Sequence, residues 1–419
     1  MEIKEYLIGK TDCACGKPHL CPIDHVVIGE DACACLPEIT KEYRSILVVA
    51  DRNTYAVAGD VVAKYLGEKI ADTLIYKTEG VLVPNEEAIA ELQSHVTEKT
   101  DLIVGIGSGV LNDLCKHVSF VSHLPYYIVA TAPSMDGYAS KGAALILEGM
   151  KVTLNADVPK AIIADVSVLK NAPFDMIQAG YGDIIGKYSC LNDWKLSHVV
   201  NDEYLCEFVV NDTYEAVEKT VRLADGLVAR DAEAVGALME ALVAVGILMA
   251  YVGNSRPASG SEHHLSHYFE IVGIVRGEDY FPHGIDVCYS AIETARLREA
   301  LLRIENIDAY VTRENPAYES EIRRIYGDVA EEVIALQKKM GWYEIDRVSI
   351  YREKWDKIRE VLADCPSSAE MLALVEKIGL RYEDFRAFYG KEKIDDALLY
   401  AKDLKDRYSV LWMYYDLCH

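Results

Sequence analysis

The chain has 419 residues, of which 51 % are hydrophobic and 26 % charged, so it is long enough for two or three domains and apolar enough to form a large core. Its 67 acidic and 43 basic residues give a formal net charge of −24, which argues against nucleic acid and anionic membranes as partners. A small phosphorylated substrate is not excluded, because a few local basic side chains are enough to bind one.

The start of the chain, MEIKEYLIGK, is charged and lacks the apolar segment of a secretory signal. No uninterrupted apolar run reaches about 18 residues, the length that a transmembrane helix needs. We therefore expect a cytoplasmic protein.

Five of the eleven cysteines stand near the start, at Cys13, Cys15, Cys21, Cys33 and Cys35. In a cytoplasmic chain we expect them to be reduced. Cys13-Ala14-Cys15-Gly16 followed by His19 hints at structural zinc, but C-x-C is a weaker signal than C-x-x-C. The sequence favours ordinary thiols in an N-terminal hairpin over a metal site.

The first part of the chain alternates short apolar runs with segments of helical periodicity. The runs lie at 45–50, 102–107, 126–130 and 161–165, and the helical segments lie around 56–67 and 86–97. Such runs suit strands that are buried on both faces of a parallel sheet. We predict a Rossmann-like α/β domain over residues 1–170, with a cysteine-rich segment over 1–40.

Beyond residue 170 the periodicity is helical, at 213–231, 232–252, 289–305, 318–340 and 350–363. We predict an all-helical domain over 171–419, in which the residues after about 340 form a C-terminal helical extension. The aromatic run 408–415 indicates packing in a core or between subunits.

A glycine-rich turn, Gly105-Ile106-Gly107-Ser108-Gly109, follows one predicted strand and opens a helix that carries Asp113. Glycines let a backbone approach a pyrophosphate there, and the helix N-terminus favours the anion. The alternative is a purely structural turn.

Asp51 ends the first strong strand, where a carboxylate accepts hydrogen bonds from ribose hydroxyls and disfavours a 2′-phosphate. This favours NAD(H) over NADP(H), and the alternative for Asp51 is a helix cap.

A third motif, Thr131-Ala132-Pro133-Ser134-Met135-Asp136-Gly137-Tyr138, directly follows another predicted strand. Parallel sheets place ligand loops at this end of their strands. The side chains of Thr131, Ser134 and Asp136 are candidates to orient a nicotinamide or a substrate hydroxyl. The alternative is an ordinary turn built from Pro, Asp and Gly.

Histidines cluster in Glu262-His263-His264-Leu265-Ser266-His267 and in Phe281-Pro282-His283-Gly284. His263 and His267 are four residues apart and share a helix face, and His283 can complete a site for zinc, nickel or ferrous iron. Asp183 and Lys187 also share a helix face. A carboxylate and two imidazoles make a three-ligand site with an open position. The alternative for Asp183 and Lys187 is a surface ion pair.

Together these motifs resemble the superfamily of iron-dependent alcohol dehydrogenases, glycerol dehydrogenases and dehydroquinate synthases. The chain is most similar to its sn-glycerol-1-phosphate dehydrogenases, in their longer bacterial form. The resemblance covers most of the chain and rests on GIGSGVLNDLCKH, TAPSMDGYASKGA, GYGDIIGKYSCLNDWKLS, SRPASGSEHHLSHYFE and FPHG.

The resemblance implies a Rossmann-like domain, a helical domain and an active site in the cleft between them. It implies a divalent metal (Zn, Ni or Fe) held by Asp183, His263 and His283, with His267 beside it as a substrate or proton-relay residue. It also implies residues that bind the dinucleotide and further residues of the active site. Gly107, Ser108 and Gly109 would lie near the pyrophosphate, and Thr131 and Ser134 near the nicotinamide. Asp113 would be a further cofactor-binding residue. Asp136 and Lys187 would lie in the active site.

The implied reaction is the reversible reduction of dihydroxyacetone phosphate to sn-glycerol 1-phosphate by NAD(P)H. The alternatives are a glycerol or other polyol dehydrogenase, a dehydroquinate synthase-like cyclase that regenerates its NAD, and a metal-stabilised scaffold. Dehydroquinate synthases usually present a glutamate where this chain has Asp183, and a scaffold would not be expected to retain the whole ligand set. The phosphate anchor is open among Lys141, Lys187 and Arg256. Related enzymes assemble, so we expect a homodimer or larger homo-oligomer.

Overall fold

The computed structural model describes residues 3–77, 80, 82–147, 150–312 and 315–418. The chain forms two compact units. The first, the sheet unit, comprises Met1–Gly180 and Glu218–Gly253, and the second, the helical unit, comprises Tyr181–Val217 and Asn254–His419.

The sheet unit is built on six parallel strands in the order β1-β8-β5-β4-β2-β3, with β6 and β7 paired as a separate antiparallel hairpin. The strands are β1 His25–Gly29, β2 Ile46–Asp51, β3 Ile70–Tyr76, β4 Leu102–Gly107, β5 Tyr126–Ala130, β6 Gly142–Leu147, β7 Met150–Asn155 and β8 Ala161–Asp165. The Rossmann-like parallel sheet predicted from the sequence is confirmed.

Both faces of the central strands are buried. In β2, Ile46 and Val48 join an apolar cluster with Leu36 and Val62, while the alternate residues Leu47 and Val49 are equally buried on the other face. Two-sided burial is the reason that these strands are continuous apolar runs.

The helices follow in chain order. They are α1 Ile3–Ile8, α2 Leu36–Ile39, α3 Arg52–Thr54, α4 Asp60–Leu66, α5 Glu86–His95, α6 Gly109–Val121, α7 Val166–Leu169, α8 Phe174–Ile185, α9 Lys187–Asn201, α10 Glu207–Arg222, α11 Ala224–Val228, α12 Ala232–Val252, α13 Ser261–Arg276, α14 His283–Leu302, α15 Tyr318–Tyr326, α16 Ala330–Met340, α17 Arg347–Ala363, α18 Ser368–Lys377, α19 Tyr382–Tyr400 and α20 Val410–Cys418. The helical second part predicted from the sequence is confirmed.

Helix α12 explains why the compact units differ from a simple division at residue 170. It is apolar over nearly all of its surface, with Glu233 and Glu240 as its charged residues, and 78 % of its most apolar 18-residue window is buried. By length and composition alone it is long enough to cross a membrane, but a helix that is hydrophobic all round is also what a protein core contains. It packs against α1, α7 and β1, so residues 218–253 belong to the sheet unit.

The aromatic run near the C-terminus lies in the core of the helical unit. Tyr408 and Trp412 are fully buried and pack with Tyr351, Trp355 and other apolar side chains in one cluster. Packing within the chain therefore accounts for this run. It gives no support to a subunit interface at this segment.

Candidate metal and dinucleotide sites

The sheet unit changes its winding direction between β2 and β4. The chain passes from β2 outward to β3 and then returns to the other side of β2 to form β4. In open parallel sheets, ligands bind at the carboxyl ends of the strands at such a switch point. Asp51 ends β2 and Gly107 ends β4, so the structure places two of the predicted dinucleotide-binding residues at this edge.

The loop after β4 leads directly into α6, and Ser108 is its N-terminal flanking residue. The Ser108 hydroxyl lies 2.6 Å from the Ser134 hydroxyl, and the Tyr138 hydroxyl oxygen lies 3.3 Å from Ser108 Oγ. The Thr131 amide donates to the Gly107 carbonyl at 3.1 Å. The structure thus joins the glycine-rich turn to the loop after β5.

Asp51 also has the capping role that the sequence left open. Its Oδ1 accepts from the amides of Asn53 and Thr54, both at 2.8 Å, and the Thr54 hydroxyl accepts from the Asp51 amide. These bonds occupy Oδ1 and orient the carboxylate at the strand end.

Asp113 faces the β6–β7 hairpin. One of its oxygens accepts from the Ala144 amide at 3.1 Å, and the other lies 3.7 Å from Lys116 Nζ. Lys116 is fully buried and donates to the carbonyls of Gly137 and Gly142, both at 2.9 Å. Sequence reasoning did not single out Lys116, because a buried lysine that secures loop carbonyls looks like any other helix lysine.

In the helical unit, the three predicted metal ligands come from three helices that meet closely. Asp183 lies near the end of α8, His263 in the first turn of α13 and His283 at the start of α14. A Cβ at Gly182 would lie 2.3 Å from the Gly284 carbonyl oxygen, so only glycine lets α8 approach the start of α14 this closely.

The ligand atoms of Asp183, His263 and His283 all lie within 4.8 Å of one another. Asp183 and His263 are buried, with 1 % and 5 % of their surfaces exposed, and His283 is half-buried. One carboxylate and two imidazoles form a donor set that suits zinc, nickel or ferrous iron and leaves a position open. The residues present therefore fit the metal that the resemblance implies.

Lys187 supports the carboxylate of this cluster. Its ammonium lies 2.6 Å from Asp183 Oδ1 and donates to the Ala258 carbonyl at 3.1 Å. Burial alone would raise the pKa of Asp183, but Lys187, with His263 and His283, holds that pKa well below its usual range. The carboxylate is thus kept ionised inside the protein. The pair is buried, so the alternative of a surface ion pair is wrong.

Neighbouring side chains fix the two imidazole rings. Glu262 Oε1 lies 2.7 Å from His263 Nδ1, and Nε2 of the same ring lies 3.5 Å from Asp183 Oδ1. Ser266 donates its hydroxyl proton to the His283 carbonyl at 3.2 Å, so its oxygen accepts from His283 Nδ1 at 3.1 Å. Both rings then present Nε2 as the ligand atom, an orientation typical of metal-binding histidines. The sequence contained Glu262 and Ser266 within the motif but did not reveal these roles.

The half-buried ring of His267 stacks on that of His283, with centroids 5.3 Å apart. This places His267 beside the cluster.

Of the candidate phosphate anchors, Lys187 is paired with Asp183, and Arg256 binds Glu203 through two nitrogens at 2.7 and 2.5 Å. Lys141 is exposed in the sheet unit.

A buried ion pair positions the helices that carry the cluster. Arg298 on α14 lies 2.8 Å from Asp193 on α9, and both side chains are buried. Asp193 also accepts from the amide of Ser261, the first residue of α13, at 2.6 Å. One carboxylate thereby links α9, α13 and α14. No sequence pattern indicates this pairing, whose partners are 105 residues apart.

Comparisons with known proteins place the chain in a family. The family model for iron-containing alcohol dehydrogenases matches residues 27–173. A glycerol-1-phosphate dehydrogenase (NAD(P)+) of Halalkalibacterium halodurans is 31 % identical over 409 residues, which cover 96 % of this chain and 95 % of that protein. The enzyme of the same name from Bacillus subtilis is 27 % identical over 391 residues, covering 92 % and 89 %.

Solved structures share the fold. Maleylacetate reductase from Rhizobium sp. strain MTP-10005 superposes with a TM-score of 0.62 at 12 % identity, covering 95 % of this chain and 96 % of that one. An iron-containing alcohol dehydrogenase from Corynebacterium glutamicum gives a TM-score of 0.61 at 15 % identity, covering 95 % of each chain. On its near full-length similarity to curated relatives, this chain belongs to the family of NAD(P)+-linked glycerol-1-phosphate dehydrogenases.

Proposed function

We propose that this protein reduces dihydroxyacetone phosphate to sn-glycerol 1-phosphate with NAD(P)H, reversibly, at a metal centre formed by Asp183, His263 and His283. The observation that carries the proposal is the convergence of these three side chains, two of them buried, within 4.8 Å of one another. Family membership supplies the reaction, and the ligand cluster supplies the chemistry that it needs.

When bound, the ion would polarise the ketone as a Lewis acid and the dinucleotide would supply the hydride. The residues of the chain have separate tasks. Lys187 keeps the buried Asp183 carboxylate ionised. Glu262 and Ser266 hold the imidazoles of His263 and His283 with Nε2 directed to the ligand position. His267, stacked on His283, is the proposed residue that passes a proton to the oxygen of the reduced carbon.

We assign the dinucleotide to the switch point of the sheet unit. Gly107, Ser108 and Gly109 lie at the N-terminus of α6, where backbone amides favour a pyrophosphate. Thr131 and Ser134 are proposed to contact the nicotinamide, Asp136 the substrate, and Asp51 the adenosine ribose, which favours NAD(H) over NADP(H). Asp113 is engaged by the β6–β7 hairpin, so we now propose that it holds the loop and not the cofactor.

The test follows NADH absorbance with dihydroxyacetone phosphate, after removal of metal and separate restoration of zinc, nickel or iron. We expect restored, stoichiometric NADH oxidation in the wild type, none in Asp183→Asn or His263→Ala, and unchanged oxidation in the control His95→Ala. His95 lies on α5 and pairs with Asp72 on β3. Faster turnover of glycerol or dihydroxyacetone would favour a polyol dehydrogenase, and binding of NADH without its consumption would favour a cyclase.

We further propose a cytoplasmic location and, from the resemblance, a homo-oligomeric state. The burial of the apolar helix α12 inside the sheet unit supports that location. Light scattering of the purified chain would measure the oligomeric state directly.

A further inference from the structure

A short loop near the N-terminus is closed and tightly turned. Lys10 and His19 exchange two backbone hydrogen bonds, each 2.8 Å long. Between them, the Gly16 amide donates to the Cys13 carbonyl at 3.0 Å, and Gly16 has a φ of +80°, a conformation that glycine adopts without strain. The backbone thus bends sharply around the Cys13-Ala14-Cys15-Gly16 segment.

Three donor atoms converge inside this loop. The ligand atoms of Cys13, Cys15 and His19 lie within 4.8 Å of one another, and Cys15 Sγ is 3.4 Å from His19 Nε2. A sulfur and a nitrogen bound to one tetrahedral zinc ion would be about 3.6 Å apart, given ordinary Zn–S and Zn–N bond lengths. The spacing in the loop is close to that value.

The ring of His19 is held in the orientation that a ligand needs. It is fully buried, and its Nδ1 lies 3.1 Å from the carbonyl oxygen of Tyr251, near the end of α12. A carbonyl only accepts, so Nδ1 carries the proton and Nε2 presents its lone pair toward Cys15. The ring also stacks on Tyr251, with centroids 5.3 Å apart and planes inclined by 18°. A backbone carbonyl on the second nitrogen is a common support for metal-bound histidine.

We propose that Cys13, Cys15 and His19 bind a structural zinc ion, with one further donor completing the tetrahedron. Two sulfurs and an imidazole are the donors of structural zinc sites, in contrast to the carboxylate and two imidazoles of the centre in the helical unit. Sequence spacing alone favoured ordinary thiols, but the folded loop brings all three donors together.

Two other thiols near the N-terminus, those of Cys33 and Cys35, lie on the segment that follows β1. Burial raises the pKa of Cys33 to about 12 and that of Cys35 to about 11, so both remain protonated at neutral pH. A protonated thiol is a poor zinc ligand. Cys35 therefore serves as a matched control, because it is a partly exposed cysteine of the same region.

The ion would join the loop to the long core helix of the sheet unit. His19 connects the loop to α12 through Tyr251, and the Tyr251 hydroxyl donates to the carbonyl of Tyr6 in α1. Because such a site forms only in the folded chain, its binding free energy contributes to folding. We expect the metal to stabilise the sheet unit without taking part in catalysis.

The experiment measures zinc per chain by elemental analysis of the full-length protein carrying His263→Ala, which removes the other centre from the count. We expect close to one zinc per chain in this background, close to none after Cys13→Ser with Cys15→Ser, and one after Cys35→Ser. The proposal would be overturned if all three proteins contained equal amounts of zinc. It would also be overturned if Cys35→Ser lost as much zinc as the double variant Cys13→Ser with Cys15→Ser. Failure of the dehydrogenase assay alone would leave this result unaffected.

Cobalt substitution gives a second readout on protein with intact cysteines. The His263→Ala protein, loaded with Co²⁺, should show thiolate-to-cobalt charge-transfer absorption together with the strong visible bands of a tetrahedral ion. A charge-transfer intensity that matches two thiolates means that the fourth donor is an oxygen or a nitrogen. An intensity that matches three thiolates means that the fourth donor is a further cysteine. Either result supports the site. Spectra without charge-transfer absorption contradict it.

Discussion

The central strands of the sheet unit bury apolar side chains on both faces, whereas the helices of the helical unit bury charged ones. In β4, Ile103 is surrounded by other apolar strand residues. Around α9, α13 and α14, the buried groups include Asp193, Arg298, Asp183 and Lys187. The sheet is thus stabilised by the burial of apolar surface, whereas the helices are aligned by specific ionic and hydrogen-bonded contacts. Substitutions in the two units should therefore differ in how far they lower the free energy of unfolding and in how that loss depends on pH.

The largest effect on stability is expected from Arg298→Met. The change leaves Asp193 buried without its cation, which costs about 3–5 kcal/mol. Urea denaturation would measure the loss. The double variant Asp193→Asn with Arg298→Met should recover a substantial part of it. If the single and double variants are equally destabilised, the pair is not the source of the effect.

A smaller effect, confined to the metal centre, is expected from Glu262→Gln. The amide keeps the shape of the side chain but weakens its hydrogen bond to His263 Nδ1, so metal affinity should fall about 10- to 100-fold. Competition with a chelator would measure the affinity. Glu240→Gln, which alters a partly exposed pair with Lys219 2.7 Å away, is the control and should leave affinity unchanged.

In the sheet unit, Ile103→Val should cost only about 1 kcal/mol, since it removes one buried methylene from an apolar environment. The loss should be independent of pH between mildly acidic and mildly alkaline conditions. A loss as large as that of Arg298→Met would remove the contrast between the two units.

The subtlest effect is a pH dependence in the helical unit. Burial raises the pKa of Asp286 far above its ordinary value, although hydrogen bonds from Tyr389 and the charge of Lys393 oppose the rise and Glu270 adds to it. The native state therefore keeps a proton that the unfolded chain releases. Its stabilising contribution is full below about pH 4 and is lost as the pH rises through the folded-state pKa.

Asp286→Asn cannot titrate, so its free energy of unfolding should decline less than that of the wild type as the pH rises. Urea midpoints of both proteins across the pH range measure the difference. Parallel curves would show that Asp286 is not protonated in the native state.

The sequence predicted the central strands well, because two-sided burial requires continuous apolar runs such as Ile46–Asp51 and Leu102–Gly107. It missed the edge strands β1 and β3. In β3 the exposed Asp72 interrupts the apolar run, and in β1 the run Val26-Val27-Ile28 is too short to stand out. The β6–β7 hairpin was missed as well. It forms a separate two-stranded sheet and Asp113 anchors it, neither of which the local pattern shows.

The sequence could name the proposed metal ligands because clusters of imidazoles are rare and these resemble a known motif. The residues that hold these ligands in place could not be named, because tertiary packing decides the partner of a buried polar group. The pairing of Asp193 with Arg298 depends on how α9 and α14 lie together, and the contact of His19 with Tyr251 joins residues 232 positions apart. Helical or strand periodicity carries no information about such contacts.

The close approach of Gly182 to the Gly284 carbonyl has a consequence for folding. Asp183 and His283 are 100 positions apart along the chain, and their donor atoms meet only once this helix contact has formed. An unfolded chain offers no such site, so an ion that binds only the native state stabilises it by mass action, by about 4 kcal/mol when its concentration is a thousand times the dissociation constant. Metal shortage would then reduce the amount of intact enzyme as well as its turnover, because a larger fraction of chains would unfold and become accessible to proteases.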